Sequence, residues 1–269
     1  MTGAGAEDGA GRSEPLAVVS DVGAAGVRVV RFNRPRARNA FNRAMYLAVT
    51  DALRAALETS AVHAVVLTGT GEAFSAGQDL KEMAALVAGD GGPQAADGFR
   101  GFIDVVSGFA KPLLAAVNGV GVGLGFTLLL HCDMVFMADD ARLRVPFAEL
   151  GVPAEAASSY LFPRRMGWQR AAEVLLTGRW VSAEEVVAYG LALRTCPAAS
   201  VVDETVALAE RIALGSPAAT AAIKALMVAA ERDALAATRA REDAAFARLL
   251  GSDHNTAALD RFGSTGRLS

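Results

Sequence analysis

The stretch 113-LLAAVNGVGVGLGFTLLLHCD-133 decides the fold, because its composition permits three very different structures. It is apolar enough for a membrane span, its glycines resemble a nucleotide-binding loop, and Asn118-Gly119 is a strong turn pair. Leu113 to Leu130 barely reaches the length of a membrane-spanning helix. Glycines recur at 119, 121, 123 and 125, and each costs a helix about 1 kcal/mol relative to alanine. The stretch therefore predicts a strand, a tight turn and a short buried helix, and no membrane span.

The same glycines match neither of the common nucleotide-binding motifs. Counting G-x-G-x-x-G from Gly119 puts Leu124 at the last glycine, and counting from Gly121 puts Phe126 there. The Gly-Lys-Ser/Thr ending of a P-loop is also absent. What remains is a helix that begins near Leu124, with free backbone N–H groups at its positive end. Tight packing of a strand against a helix explains the glycines equally well at this point.

Composition and charge exclude several classes of function. The chain has 269 residues, of which 52% are hydrophobic and 20% charged, as in packed globular proteins. A net charge of -3 without a basic stripe predicts no nucleic-acid partner. The three histidines and two cysteines lack ligand spacing, so we predict no metal site, and we interpret the histidines as structural. Both cysteines, Cys132 and Cys196, lie in apolar segments, which favours a reduced, cytoplasmic protein.

Hydrophobic periodicity predicts an α/β protein in which strands and helices alternate to about residue 197. Short apolar or alternating runs predict strands at 27–32, 64–68, 113–117, 134–138, 143–147 and 191–196. Helical spacing predicts helices at 43–57, 79–83, 99–110, 124–130, 158–166, 169–176 and 182–189. Beyond residue 200 the pattern is helical throughout, over 201–214, 217–230 and 233–250. The small, polar residues 1–13 predict a flexible N-terminal tail.

A second segment that presents backbone N–H groups is 74-FSAGQDL-80, where a glycine stands directly before the start of a helix. Such groups can hold an oxyanion or a phosphate. An ordinary turn between a strand and a helix explains this segment as well, since such loops are common in α/β proteins.

Glu155 is the acid with the most apolar surroundings, within 152-VPAEAASSY-160. Most other acids lie beside charged residues, as in Glu184-Glu185 and Arg241-Glu242-Asp243, and we interpret those as solvated faces. An acid in an apolar setting has a raised pKa and can exchange a proton near neutral pH. The structural alternative is a carboxylate at the start of a helix, ahead of Ser158-Ser159.

These loops and the secluded acid belong to a longer series of motifs. The series is 33-NRPRARNAF-41, 65-VVLTGTGEAFSAGQDLKEM-83, 112-PLLAAVNGVGVGLG-125, 132-CDMVFMADDARLRVPFAELG-151 and 173-EVLLTGRWVSAEEVVAYGL-191. In this order, the motifs resemble the crotonase family, the enoyl-CoA hydratase/isomerase superfamily, from about Leu16 to Phe262. The resemblance implies a ββα spiral core with the active site over 14–200. It also implies a C-terminal helical oligomerisation region over 201–269, in a homotrimer or a hexamer.

The resemblance further implies an acyl-CoA thioester as substrate and no separate cofactor, because coenzyme A is part of that substrate. Two backbone N–H groups, those of Gln78 and Leu124, match the family's oxyanion hole. The residues expected to hold the coenzyme A end are Arg36, Ala37, Arg38, Ala76, Asp79, Leu80 and Lys81. Ordinary surface charge is the alternative for the three cations.

The sequence departs from typical hydratases of this family at both catalytic glutamates, whose positions are matched by Thr127 and Phe147. Instead, 146-PFAELGVPAEAASSYLFPRRMG-167 resembles the Δ3,Δ2-enoyl-CoA isomerase branch, in which a single glutamate matches Glu155. The resemblance thus implies an isomerase of fatty acid β-oxidation, with Glu155 catalytic and with Phe147, Thr127 and Glu149 lining the pocket.

Two other functions stay open on the sequence. One is a hydratase or another crotonase-type lyase that uses Glu149, although its displacement from the Pro-Glu position argues against this. The other is a non-catalytic acyl-CoA-binding or scaffold protein, because a fold does not by itself fix a function.

Overall fold

A computed structural model describes residues 14–23, 25–90 and 97–266, and these form two sheets surrounded by helices. The predicted tail over residues 1–13 lies outside the described residues. The strands are β1 Ala17–Val22, β2 Val27–Phe32, β3 Ala64–Gly69, β4 Ala73–Ser75, β5 Leu113–Val117, β6 Val120–Val122, β7 Met134–Ala138, β8 Arg142–Arg144, β9 Val181–Ser182 and β10 Arg194–Cys196.

The helices of the first two thirds are α1 Arg43–Glu58, α2 Leu80–Val87, α3 Asp97–Ser107, α4 Leu124–Thr127, α5 Phe147–Leu150, α6 Ser158–Met166, α7 Trp168–Thr177 and α8 Ala183–Ala188. Those of the last third are α9 Val201–Ala213, α10 Pro217–Ala229, α11 Arg232–Leu249 and α12 Asp253–Thr265. Two 3₁₀ turns cover Pro35–Ala37 and Leu128–His131.

From β3 to β8 the chain alternates between the two sheets, which gives the predicted spiral. The larger sheet has the order β1-β2-β3-β5-β7-β10, and the smaller one has the order β4-β6-β8-β9. Strands β2, β3, β5, β7 and β10 run parallel, as do β4, β6 and β8. Each passage through β3-β4, β5-β6 and β7-β8 therefore adds one strand to each sheet. The α/β spiral that the sequence predicts is confirmed.

The larger sheet is buried on both faces, which is why its strands read as continuous apolar runs. In β3, Val65 and Leu67 face the main core, whereas Ala64 and Val66 face a second cluster that includes Ala209 of α9. Alternate side chains of a strand point to opposite faces, so one apolar strand serves both clusters.

The opening stretch folds as a strand, a turn and a helix. It contains β5, the short strand β6, α4 and the 3₁₀ turn Leu128–His131. A Cβ atom added to Gly119 would lie 2.1 Å from the carbonyl oxygen of Glu72, and one on Gly125 would lie 2.3 Å from that of Ser75. The glycines therefore let the β5–α4 segment touch the backbone around β4, and the packing explanation holds together with the free helix N-terminus.

Some predicted elements were wrong in detail. The predicted strand over 143–147 ends at Arg144, and Phe147 begins α5, because Pro146 takes a non-extended conformation with ψ 41°. Phe74 and Ser75, which belong to a segment before a predicted helix and were not assigned to a strand, lie in β4. Strand β1 and helix α12 were not predicted.

Among the described residues, no single helix is long and apolar enough to cross a membrane. The bent pair α9 and α10 passes the length and composition test only when its two helices, at 106° to each other, are taken together.

The division of the chain into a core over 14–200 and a C-terminal helical region over 201–269 stays a prediction.

Candidate active site

The two glycine segments predicted to present N–H groups meet in space. Gly77 has φ +82°, and a Cβ atom there would lie 2.3 Å from the carbonyl oxygen of Val122 and 3.3 Å from the backbone nitrogen of Leu124. Gln78 follows directly, and Leu124 is the first residue of α4 after Gly123, which has φ +52°. The N–H groups of Gln78 and Leu124 therefore lie on touching stretches of backbone, and neither donates a hydrogen bond within the described part of the chain.

The two segments expected to hold coenzyme A lie side by side. The N–H of Ala76 donates to the carbonyl of Arg38 (2.8 Å), and that of Phe41 donates to the carbonyl of Gly77 (2.7 Å). The buried Asn39 fixes the first segment to the chain that leads into the second, since its side-chain amide donates to the carbonyls of Thr70 (3.0 Å) and Ala73 (2.7 Å). The backbone from 36 to 41 and from 76 to 80 thus forms one continuous surface beside Gln78.

The charged residues of this surface divide into two groups. Arg36, Arg38 and Lys81 are exposed and form no ion pair with a described residue, so they are available to a phosphate. Asp79 is occupied within the protein. Its carboxylate caps α2 by accepting from the N–H of Lys81 (3.1 Å) and pairs with Arg34 at 3.0 Å.

Glu155 lies in the turn before α6, with its side chain against α4. The Thr127 hydroxyl donates to Glu155 Oε1 over 2.5 Å, while Oε2 has essentially no solvent contact and no hydrogen-bond partner in the described part of the chain. Thr127 is fully buried and stands one helical turn after Leu124, so α4 links the carboxyl to the Leu124 N–H. Burial raises the pKa of Glu155 to about 8; the Thr127 hydrogen bond opposes this rise, and the charge of Glu242 adds to it.

The backbone that carries Glu155 is strained. Ala156 and Ala157 have φ 56° and 60°, in the left-handed region that non-glycine residues avoid at a cost of about 1–3 kcal/mol each. The Ala156 carbonyl accepts from His131 Nε2 (2.8 Å), and because a carbonyl only accepts, this nitrogen carries the proton. Burial lowers the pKa of His131 to about 4, so the ring is neutral near pH 7.

Comparison with known proteins identifies the family. A sequence model described as "Enoyl-CoA hydratase/isomerase" matches residues 23–267. The chain belongs to the enoyl-CoA hydratase/isomerase family. A crystal structure of an enoyl-CoA hydratase/isomerase from Pseudoalteromonas atlantica T6c superposes with a TM-score of 0.84 and 32% identity, covering 94% of this chain and 98% of that chain.

Relatives within the family have names of both activities. Mouse "Enoyl-CoA delta isomerase 3, peroxisomal" is 34% identical over 96% of this chain and 81% of its own length. The "2,3-dehydroadipyl-CoA hydratase" of Escherichia coli is 31% identical over 88% of this chain and 91% of its own length. The chain spans only 50% and 58% of the rat and human proteins named "Enoyl-CoA delta isomerase 2". Since one relative is peroxisomal by name, a cytoplasmic location stays a prediction.

Of the three residues predicted to line the family pocket, the structure brings Thr127 to Glu155. Phe147 is buried at the start of α5. Glu149, two residues beyond the Pro-Glu position, pairs instead with Arg144. Among the described contacts, none joins Glu149 to Thr127 or to Glu155.

Three residues contact the segments of the candidate site but had no predicted role. The Tyr46 hydroxyl donates to Gln78 Oε1 (2.8 Å), and Asn39 and Glu242 fix backbone near Gln78 and Glu155. The interpretation of Glu242 as part of a solvated face was wrong, because Glu242 is only 7% exposed. Adjacent residues of a helix point about 100° apart, so charged neighbours do not predict the direction of the residue between them. A sequence signal existed in the spacing of Leu235, Thr238, Glu242 and Phe246, which marks the inward face of α11.

The raised pKa predicts how Glu155 affects stability as the pH changes. Between about pH 4.5 and 8 the folded protein keeps the Glu155 proton that the unfolded chain has lost, so wild-type stability falls as pH rises through this window. Glu155→Gln has no carboxyl group at this position, so it does not lose stability in this way as the pH rises. We expect its free energy of unfolding, relative to wild type, to increase from pH 4.5 to 8 and then to level off. Urea unfolding across this range measures the difference, and a difference independent of pH would contradict the burial of an acid at this position.

Proposed function

We propose that the chain is a Δ3,Δ2-enoyl-CoA isomerase, which moves the double bond of a 3-enoyl-CoA to the trans-2 position in fatty acid β-oxidation. The observation that carries the proposal is the lone Glu155 carboxyl, bound at one oxygen by Thr127 and free at the other, beside the turn that presents the Leu124 N–H. Isomerisation needs one acid–base group, because the proton taken from C2 is the proton returned to C4. Hydration needs a second group to activate water, and Thr127 and Phe147 occupy the positions that match the hydratase glutamates.

The reaction begins when ionised Glu155 removes a proton from C2 through Oε2. The electrons of the broken C–H bond form a dienolate, whose oxygen accepts hydrogen bonds from the N–H groups of Gln78 and Leu124. Return of the proton from Glu155 to C4 places the double bond between C2 and C3 and regenerates the carboxylate. No atom is added to or lost from the substrate.

Electrostatics favour this path because the charge of the dienolate develops beside fixed donors. Each well-placed oxyanion-hole donor contributes about 3–4 kcal/mol to transition-state stabilisation. Buried apolar side chains, those of Leu124 and Phe147, keep water from the intermediate. Arg36, Arg38 and Lys81 bind the phosphates of coenzyme A, and the backbone around Ala37, Ala76 and Leu80 holds the rest of that group.

The direct test is conversion of 3-enoyl-CoA to 2-enoyl-CoA, followed by the ultraviolet absorbance of the conjugated thioester. We expect Glu155→Gln to reduce kcat by about 10²–10⁴-fold, which is the usual contribution of a positioned general base. Because the base must be ionised and the pKa of Glu155 is raised to about 8, wild-type kcat/KM should rise with pH and level off above about pH 8.

The variant that separates isomerase from hydratase is Glu149→Gln. The isomerase assignment expects it to retain turnover of 3-enoyl-CoA, with no ¹⁸O from labelled water in the product. Full activity of Glu155→Gln, or loss of 2-enoyl-CoA hydration on Glu149→Gln, would replace the isomerase with the hydratase alternative. Binding of coenzyme A esters without turnover of any enoyl chain would favour a non-catalytic binding protein.

The C-terminal helices suggest how the protein assembles, and we propose a homotrimer or a hexamer formed through α10. No residue of α10 is buried within the chain, and its apolar residues Ile223, Leu226 and Met227 are 59%, 77% and 70% exposed. An exposed apolar patch of this kind marks an interface.

Replacement of two of these residues tests the assembly. We expect Leu226→Glu/Met227→Glu to reduce the mass measured by light scattering from an oligomer to a single chain, because two charges at the centre of an apolar contact oppose association. Leu47→Glu on α1, where the leucine is 40% exposed, is the control and should leave the mass unchanged. A wild-type mass of one chain would overturn the proposal.

A further inference from the structure

Glu242 is a buried acid in the middle of the inward face of α11, where it is the one ionisable residue among Leu235, Thr238 and Phe246. Leu235, Thr238, Glu242 and Phe246 recur along α11 at helical spacing and pack toward the core. Only 7% of Glu242 is exposed, although a carboxylate is among the most costly groups to remove from water. A buried carboxylate is therefore expected to have hydrogen-bond donors or cations that compensate for the lost contact with water.

Three donors surround this carboxylate, and all of them belong to the start of α6. The N–H of Ala157 donates to Oε2 (2.7 Å), and the N–H and hydroxyl of Ser159 donate to Oε1 (3.0 and 2.5 Å). Ala157, the N-cap residue of α6, has no side chain that could cap the helix. Glu242 therefore supplies the missing cap from another part of the chain, and its negative charge suits a helix N-terminus.

The capped turn is the one that carries Glu155. Ala156 and Ala157, both left-handed, are the only residues between Glu155 and α6. His131 binds the carbonyl of Ala156 on one side, Glu242 binds the N–H of Ala157 on the other, and the N–H of Ser158 donates to the carbonyl of Glu155 (2.9 Å). The path from α6 to the Glu155 carboxyl is thus held at each peptide group.

We propose that Glu242 is a positioning residue for Glu155: by capping α6 it holds the Ala156–Ala157 turn, and so the C-terminal helical region completes the active site of its own chain. This inference rests on the isomerase proposed above. It gives α11 a role in catalysis that is separate from assembly.

The charge of Glu242 has a second effect, on the ionisation of Glu155. After burial, which is the main cause, the negative charge of Glu242 raises the pKa of Glu155 further, while the Thr127 hydroxyl lowers it. Burial also raises the pKa of Glu242 itself, against the stabilising donors on Ser159 and Ala157. Removal of the charge should therefore let Glu155 ionise at lower pH.

The other ionisable groups near the Ala156–Ala157 turn do not account for a shift in the pH at which Glu155 ionises. His131 is neutral near pH 7, because burial lowers its pKa to about 4, and the charges of Arg165 and Arg239 lower it further. The Tyr46 hydroxyl of α1 donates to Gln78, and burial, together with the charges of Glu155 and Glu82, raises the pKa of Tyr46 well above 10. Asp243, beside Glu242 on α11, is paired with Arg100 (3.4 Å).

The test compares Glu242→Gln with Asp243→Asn, which removes the same charge one residue along the helix. We expect Glu242→Gln to lower kcat by about 10- to 100-fold with KM within about 2-fold, since a small displacement of a general base has this effect. The pH at which kcat/KM levels off should also move to lower pH. Asp243→Asn should leave both quantities unchanged, and Ser159→Ala, which removes one donor, should have a smaller effect in the same direction as Glu242→Gln.

If Glu242 were only a structural cap, Glu242→Gln would lower the melting temperature but leave kcat per folded molecule and the pH profile unchanged. This result would overturn the inference. A double-mutant cycle of Glu155→Gln and Glu242→Gln, followed by urea unfolding against pH, decides the same question without a substrate. We expect the pH at which the stability gain of Glu155→Gln levels off to fall in the Glu242→Gln background. If the two substitutions affected stability independently, the positioning role would be overturned. If their effects on stability were coupled but the wild type showed no isomerase turnover, only the proposed function would be overturned.

Discussion

The hydrogen bond from Thr127 to Glu155 is the interaction on which the site depends. It holds a carboxyl group against the end of α4, where the second carboxyl oxygen is buried and has no hydrogen-bond partner among the described residues. Burial raises the pKa of this carboxyl and so favours its protonated form, whereas the Thr127 hydroxyl lowers the pKa and favours the ionised form. A proton carrier with a raised pKa and one free oxygen follows from this balance.

The fold makes the hydrogen bond between Thr127 and Glu155 possible because it brings segments that are distant in the sequence into backbone contact. Glycines at 77 and 125 let the β4–α2 turn and the β6–α4 turn touch, so that Gln78 and Leu124 lie on adjoining stretches of backbone. The α4 helix, which starts at one of these groups, carries Thr127 one turn later. The strained Ala156–Ala157 turn then brings Glu155 to Thr127, with His131 and Glu242 holding it from two sides. Backbone geometry and buried polar contacts together hold the single carboxyl group in this position.

Local patterns predicted most of the fold, and they failed where a tertiary contact decides the outcome. Strands β2, β5 and β7 begin and end at the predicted residues, because short buried apolar runs bounded by turn residues have few alternatives. The strand expected over 143–147 failed because Pro146 turns the chain into α5. Glu155 stood out by its apolar neighbours in the sequence, whereas Glu242 did not, since its partners lie 83 and 85 residues away. Contacts across such separations leave no local trace beyond helical spacing.

The ionisation of Glu155 in the free protein is the most direct measure of this arrangement. Carboxyl ¹³C NMR of glutamate-labelled protein, with Glu155→Gln to assign the signal, follows it without substrate or turnover. A buried carboxyl held by Thr127 should titrate with a pKa of about 8. Titration of that signal near 4.5, the ordinary value for glutamate, would mean that the side chain is solvated and that no buried base stands beside the oxyanion turn.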